Sequence, residues 1–359
     1  MIFKKDLGLL VLILLVGAVV AVINPRFLLA ANISNTANQI GLFGIIAIAQ
    51  AFVIVTGGIE LSVGAVVALL GVLFIDLIVN GGVHWALAAL IVVVAGMLMG
   101  LVHGLLVARL GMQPFVVTLC ALLIYRGMAR YYTEDATVGF GFGASFPMLE
   151  WLTAGRSEIF APLAQLFGHD GPTIAVPHTL IALAVVTLAA GVVLHRSVLG
   201  RYLFAIGKNE EAARYSGIAT ARVTVAAYVV CCGLTAFNAI LLAMYTRSIS
   251  PAVHGNFYEL YAIAAAVLGG FSLRGGEGSI LGVVLGTILL QVLQNLVNLL
   301  GIPSSLNFAV MGSVILLGVL ADQQIARLRK HSVAQASRAR STHEHGAGLA
   351  TDRASDASK

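Results

Sequence analysis

A chain of 359 residues that is 59% hydrophobic and only 10% charged is not a soluble globule, because ordinary domains carry about 25% charged residues. Its formal net charge of +5 calls for no nucleic-acid partner, since inner loops of membrane proteins are ordinarily basic. Cys120, Cys231 and Cys232 lie in apolar runs, read as small hydrophobes, and offer no metal-ligand spacing.

Ten apolar stretches approach the roughly 17–25 residues that a membrane helix needs. The first, at about 7–23, ends in Ile23-Asn24-Pro25-Arg26 with no A-x-A-like cleavage site, so it reads as a retained helix. The second, at about 37–56, runs into Thr56-Gly57-Gly58-Ile59-Glu60-Leu61-Ser62-Val63-Gly64. Paired glycines break helical geometry, and Ser62 is placed as the N-cap of the third helix, 62–79. Irregular backbone of this kind is either a capped turn or the lining of a water-filled pathway.

The fourth stretch, 85–109, carries Gly96, Gly100 and Gly104, a smooth face for close helix approach. His103 beside it reads as a packed residue. The fifth, 114–130, leads into an outer segment, 131–173, with room for short ordered pieces. After the sixth, 174–194, the chain turns polar over 195–222. That island carries Arg196, Arg201, Lys208, Arg214 and Arg222, and Glu210-Glu211-Ala212-Ala213-Arg214 predicts a short surface helix. The seventh is at 223–246. The eighth, 257–271, is short enough to be broken or re-entrant. The ninth, 278–300, carries Gly278, Gly282 and Gly286, and its Gln291, Gln294, Asn295 and Asn298 share one face, as helix glue or as hydrogen bonds offered to a polar solute. The tenth is at 306–321, and 327–359 has the composition of a disordered tail.

With the N-terminus inside, ten crossings place sixteen basic residues on the inner side and five on the outer, all 21 of them. Both termini and the island are therefore expected to be cytoplasmic. The fourth and ninth helices share their glycine spacing and are each followed by Leu-Gly with Pro close behind, at Leu110-Gly111 with Pro114 and Leu300-Gly301 with Pro303. They lie five crossings apart, which predicts an inverted 5+5 repeat. The fold class is thus all-α, a polytopic membrane protein of about ten helices. A membrane domain spans 1–326. Glu60, Asp76 and Glu259 are carboxylates near membrane depth, functional by default or, near helix ends as they are, simply hydrated or paired. No GxSxG, HExxH or phosphate-loop pattern is present, which argues against an enzyme.

Several motifs together are similar to one family. They are Asn24-Pro25-Arg26-Phe27-Leu28; Thr56 to Gly64, with Glu60 in place of the usual Asp; Pro114-Phe115-Val116-Val117-Thr118-Leu119 continuing to Tyr125-Arg126-Gly127; Gly200-Arg201 through Gly207-Lys208-Asn209-Glu210 to Ser216-Gly217-Ile218; and Glu259-Leu260-Tyr261-Ala262-Ile263 with Gly269-Gly270, where Tyr261 replaces the usual Asp. Over about residues 24–322 the chain resembles a permease subunit of a bacterial ABC importer for monosaccharides, the group with the ribose, xylose and galactofuranose permeases.

The resemblance implies a bacterial inner-membrane protein that pairs with a second permease chain, identical or paralogous. A cytoplasmic ATPase subunit, which binds the ATP-Mg, docks on the island, and a periplasmic sugar-binding protein delivers solute; the chain itself holds no cofactor. It places docking on Gly207, Asn209, Glu210, Ala213 and Gly217, and a solute path along Glu60, Ser62, Thr118, Asn238, Gln291 and Asn295. Alternatives are an ABC permease for a nucleoside, a branched-chain amino acid or a signalling sugar, and an ion-coupled secondary sugar transporter, which would leave the island unexplained.

Overall fold

The computed structural model describes residues 2–141, 145–157, 175–303 and, singly, Leu306, Ala309, Gly312, Ser313 and Leu316. Met1–Asn307 form one compact unit. A second unit, Phe308–Lys359, is described at four positions, all helical, with the Ser313 hydroxyl donating to the Ala309 carbonyl at 2.8 Å. The predicted tenth helix (306–321) thus lies largely, and the predicted tail (327–359) wholly, outside the described residues.

The first unit is helical almost throughout. Its helices are α1 (Ile2–Ile23), a 3-10 turn (Pro25–Leu28), α2 (Ala30–Ile54), α3 (Val63–Val79), α4 (Trp85–Ala108), α5 (Pro114–Thr133), α6 (Pro147–Ala154), α7 (His178–Arg196), α8 (Val198–Lys208), α9 (Glu210–Tyr215), α10 (Thr220–Thr246), α11 (Tyr258–Leu268) and α12 (Ile280–Leu299). Six of them, α1, α2, α4, α7, α10 and α12, are long and apolar enough to cross a membrane. The polytopic all-helical fold is therefore as expected, while the count of ten crossings is not confirmed among the described residues. The physical reasons differ. α5 is 20 residues long but carries Arg126, Arg130 and three tyrosines, whereas α3 and α11 have only 17 and 11 residues because each begins partway through the bundle.

Helix α10 is the hub, packing against α4, α3 and α2; α2 in turn packs against α7, α11 and α12. The glycine faces explain the closest contacts. A Cβ on Gly100 would run into the Tyr228 carbonyl of α10, and one on Gly104 would stand 2.7 Å from the Val225 Cα. On α12, Gly282 and Gly286 lie against the backbone of Gly269 and Ala265. Gly278 is a correction to the predicted helical face: it precedes α12, and a Cβ there would stand 2.5 Å from the Phe271 ring atoms.

The predicted repeat has two structural counterparts. α4 packs on α10 as α12 packs on α2, and α3 meets α10 as α11 meets α2, so each half clasps the other in the same way. The Leu-Gly pairs after α4 and α12 both end in a left-handed glycine, Gly111 at φ 67° and Gly301 at φ 69°, the conformation that closes helices and favours glycine.

Four two-residue strands pair at the end of the bundle away from the island: Val138–Gly139 with Ser248–Ile249, and Arg156–Ser157 with Val176–Pro177, both antiparallel. Val138–Gly139, Arg156–Ser157 and α6 are the short ordered pieces expected within 131–173.

Candidate functional site

α3 and α11 start head to head. Gly64, in the first turn of α3, and Gly255, just before α11, are both buried, and a Cβ on either would enter the other's carbonyl. Only glycine lets two main chains meet this closely, and Gly255 is also held at φ 79°. Helix starts carry partial positive charge, and a carboxylate stands at each. Glu60 is fully buried and Glu259 is 8% exposed; a Cβ on Gly64 would lie 2.8 Å from Glu259 Oε2.

The two acids are countered from helices α4 and α5. Glu60 Oε1 accepts the Ser62 amide at 2.8 Å and the Ser62 hydroxyl at 2.6 Å, and Oε2 accepts from His103 Nδ1 at 2.7 Å. Because a carboxylate only accepts, Nδ1 carries the proton; Nε2 then accepts from the Tyr125 hydroxyl at 2.9 Å in the neutral ring. Gln50 donates to the Glu60 carbonyl at 3.0 Å. Thr118 donates to the Pro114 carbonyl at 2.9 Å and lies 3.4 Å from that of Ile59. On α5, about two turns beyond Thr118, Arg126 donates to the carbonyls of Pro251 and His254 at 2.6 and 2.7 Å, bracing the loop before α11.

One expectation is corrected here. Ser62 does stand at the N-cap of α3, but its side chain makes no capping bond; the Glu60 carboxyl group takes both Ser62 donors instead. Of the readings open for the carboxylates, Glu60 is paired, with His103, and Glu259 is buried in the first turn of α11. Asp76 alone of the three is half-exposed, accepting from Tyr132 and Asn80, each at 2.6 Å.

Of the six solute-path residues, the structure brings Glu60, Ser62 and Thr118 together. Asn238 lies apart, fully buried, donating to the Leu42 carbonyl at 2.7 Å with its own Oδ1 without a partner among the described residues. Asn295 exchanges two hydrogen bonds with Asn32, at 3.0 and 2.8 Å, which is helix glue between α12 and α2. Gln291 is buried on α12.

His103 and Arg126 were not singled out as site residues by sequence reasoning. The usable signal was the acid at Glu60: a buried carboxylate demands a partner, and His103 is the one titratable side chain inside α4. Glu60, His103 and Cys232 also place potential metal ligands within 4.8 Å of one another. The 2.7 Å Glu60–His103 separation is that of a hydrogen bond, shorter than the about 3.3 Å between ligands around a tetrahedral ion with bonds of about 2.0–2.1 Å.

The island is mostly helix. α8 buries Gly200, Leu203 and Ile206 and exposes Arg201, Tyr202 and Lys208. Asn209 caps α9, accepting the Ala212 amide at 2.9 Å; Ala213 is the buried residue of α9, and Gly217 turns the chain out at φ 85°. Asn209, Ala213 and Gly217 thus shape the element. Its presented surface is Glu210, Glu211, Arg214 and Tyr215, the last 83% exposed.

At the opposite end a cavity of about 740 Å³ is lined by Glu150, Trp151, Tyr245 and Arg247 among others. Arg247 and Glu150 pair at 2.5 Å, and the Phe146 amide donates to the same carboxylate oxygen at 3.1 Å. The Phe146 amide first, and the Arg247 guanidinium after it, hold the Glu150 carboxyl below its usual range.

The sequence profile of the branched-chain amino acid transport system / permease component family matches residues 32–319. The chain is 37% identical to the ribose import permease protein of Bacillus subtilis (strain 168) over 318 residues, covering 89% of this chain and 91% of that protein. It is 36% identical to the ribose import permease protein of Escherichia coli (strain K12), covering 89% and 93%, and 30% identical to the xylose transport system permease protein of the same strain, covering 90% and 94%. No solved structure matches. A profile match across most of the chain, with relatives of this identity along its length, means that the chain belongs to the branched-chain amino acid transport system / permease component family.

Proposed function

We propose that the chain is the membrane permease subunit of an ATP-binding-cassette importer that moves a monosaccharide across the bacterial inner membrane. A separate cytoplasmic subunit binds ATP-Mg and hydrolyses it, docking on α8–α9. A periplasmic sugar-binding protein delivers solute at the opposite end, and two permease chains form the path. Both termini are cytoplasmic. The relatives named for ribose and xylose support the solute class.

The observation that carries the choice of a neutral solute is the charge balance at the head-to-head helix starts. Discontinuous helices often aim their positive ends at an anionic group of the substrate. Here Glu60 and Glu259 already stand at those ends, and His103 and Arg126 are committed to partners inside the protein. An amino acid would need charged anchors for its carboxylate and ammonium groups; a sugar needs only hydrogen bonds in a mostly apolar cavity.

Two measurements test this. Uptake of labelled ribose, xylose and galactose is compared with that of leucine in cells carrying the permease and its ATPase; preference for leucine would overturn the sugar reading. Co-purification of the ATPase with wild type and with Glu210→Arg/Gly217→Pro tests docking. Proline fixes φ near −65° and is incompatible with Gly217 at φ 85°, so the variant loses the ATPase while the permease stays inserted. Undiminished association would remove the island's role.

A further inference from the structure

The last residues of α8 rest on bare main chain. A Cβ on Gly207 would enter the Val55 carbonyl at the end of α2 and the Gly276 amide in the loop between α11 and α12. Gly276 donates to that same Val55 carbonyl at 2.8 Å. A Cβ on Gly275 would lie 2.7 Å from the Gly57 nitrogen, 2.9 Å from the Gly207 Cα and 3.0 Å from the Val55 oxygen; one on Gly276 would lie 2.8 Å from the Lys208 nitrogen. Gly57, Gly275 and Gly276 are held at φ 83°, 83° and 72°, where other residues are strained. Three segments far apart in sequence therefore cross main chain to main chain, with only the Lys208 stem lying beside Gly276. Lys208 and Glu277 pair over the top at 2.6 Å.

Below this crossing the chain continues directly into Thr56–Ser62. That segment is held at each step: Gln50 on the Glu60 carbonyl, Thr118 beside that of Ile59, and the Glu60 carboxylate on His103, itself bonded to Tyr125. Packed backbone transmits displacement because close-packed interiors do not deform continuously, whereas a flexible side chain at the contact would absorb it.

We propose that Gly207, Gly275 and Gly276, with the Val55 carbonyl, form a rigid joint that passes movement of α8–α9 to the start of α3 at Glu60 and Ser62. These glycines are positioning residues. The Lys208–Glu277 pair is exposed, and such pairs contribute little; it marks the joint and the backbone contact carries it. The proposal rests on the permease reading, in which α8–α9 meets an ATPase, and adds where that movement goes.

Two variants test it. Gly207→Ala forces the three backbones apart. In the purified permease alone, amide exchange at Gly276 and across residues 56–62 speeds up by about tenfold, while exchange in α4 and α10 is unchanged. With the ATPase bound, solute moved per ATP falls by about tenfold or more, as expected when a coupling contact is worth about 1.4 kcal/mol. The second variant is Lys208→Cys/Glu277→Cys in a Cys120→Ala background, closed with a short thiol cross-linker; Cys231 and Cys232 are buried. A joint whose two sides travel together keeps transporting when bridged.

Unchanged exchange in Gly207→Ala, or loss of transport on bridging, would overturn the joint. If Gly207→Ala does not fold, the bridged variant decides. If no ATPase associates with wild type, the permease reading fails, and the exchange result on the permease alone still decides the joint.

Discussion

Replacing His103 by Leu removes one of three donors from a carboxylate that has no access to solvent. Glu60 is 0% and His103 1% exposed, so neither water nor lipid supplies a substitute at that depth. Removing one partner of a buried acid–base pair costs about 3–5 kcal/mol. At roughly 2 °C per kcal/mol for a unit of this size, the Tm falls by about 6–10 °C. The assay is thermal unfolding of the detergent-purified permease followed by a thiol- or aromatic-sensitive probe, run on His103→Leu and on Glu60→Gln/His103→Leu. The uncharged amide still accepts from Ser62 but no longer places a charge in the interior, so the double variant recovers about 2 kcal/mol of the loss, within the range measured for coupled neighbours. Two results refute the reasoning: a His103→Leu variant as stable as wild type, or a double variant no more stable than the single one.

Further expectations follow from other contacts. Gly100→Ala drives a Cβ into the Tyr228 carbonyl and lowers stability by about 1–3 kcal/mol, whereas Gly191→Ala on α7, with nothing within 4 Å, is neutral or stabilising by up to about 1 kcal/mol; Tm separates the two. Asn295→Leu leaves Asn32 only its bond to the Phe27 carbonyl and costs about 0.6–1.7 kcal/mol, with partial recovery in Asn32→Leu/Asn295→Leu; uptake KM stays unchanged in both, since the pair joins helices. Glu150 has a depressed folded-state pKa, so its contribution is present above the unfolded value of about 4.3 and is lost as pH falls through the lower folded value. Proteolysis near α6 therefore accelerates below about pH 4 in wild type, and Glu150→Gln shows no such rise.

Hydropathy and glycine spacing made most of the helices legible, and boundaries slipped where polar residues face protein. α2 begins at Ala30, seven residues before the expected 37, because Asn32, Ser34 and Asn38 lower its hydropathy while bonding to Asn295, the Ala175 carbonyl and Thr179. The break at Gly57-Gly58 was legible, and so was the short eighth helix. Their meeting at Gly64 and Gly255 was not, since no local pattern links positions so far apart in the chain. The site was legible from its acid side only. Glu60 stood out as a carboxylate in an apolar chain, but its bond to His103 spans 43 residues and is fixed by how α4 packs on α10. On the island, Asn209, Ala213 and Gly217 were legible as residues of the element, while the surface it presents required the helix to be placed.

The Asn32–Asn295 and Asn24–Leu299 bonds bear on how the chain is made. They span 263 and 275 residues, so α1 and α2 leave the ribosome and enter the bilayer long before α12 exists. During that interval the Asn32 amide sits at the edge of an apolar phase without its partner, and the face of α2 that later receives α12 is open. Synthesis proceeds at about 5–20 residues per second, so the exposed interval lasts on the order of tens of seconds. A chain that stalls before α12 keeps that polar gap permanently, which gives membrane quality control a chemical feature by which an unfinished permease differs from a finished one.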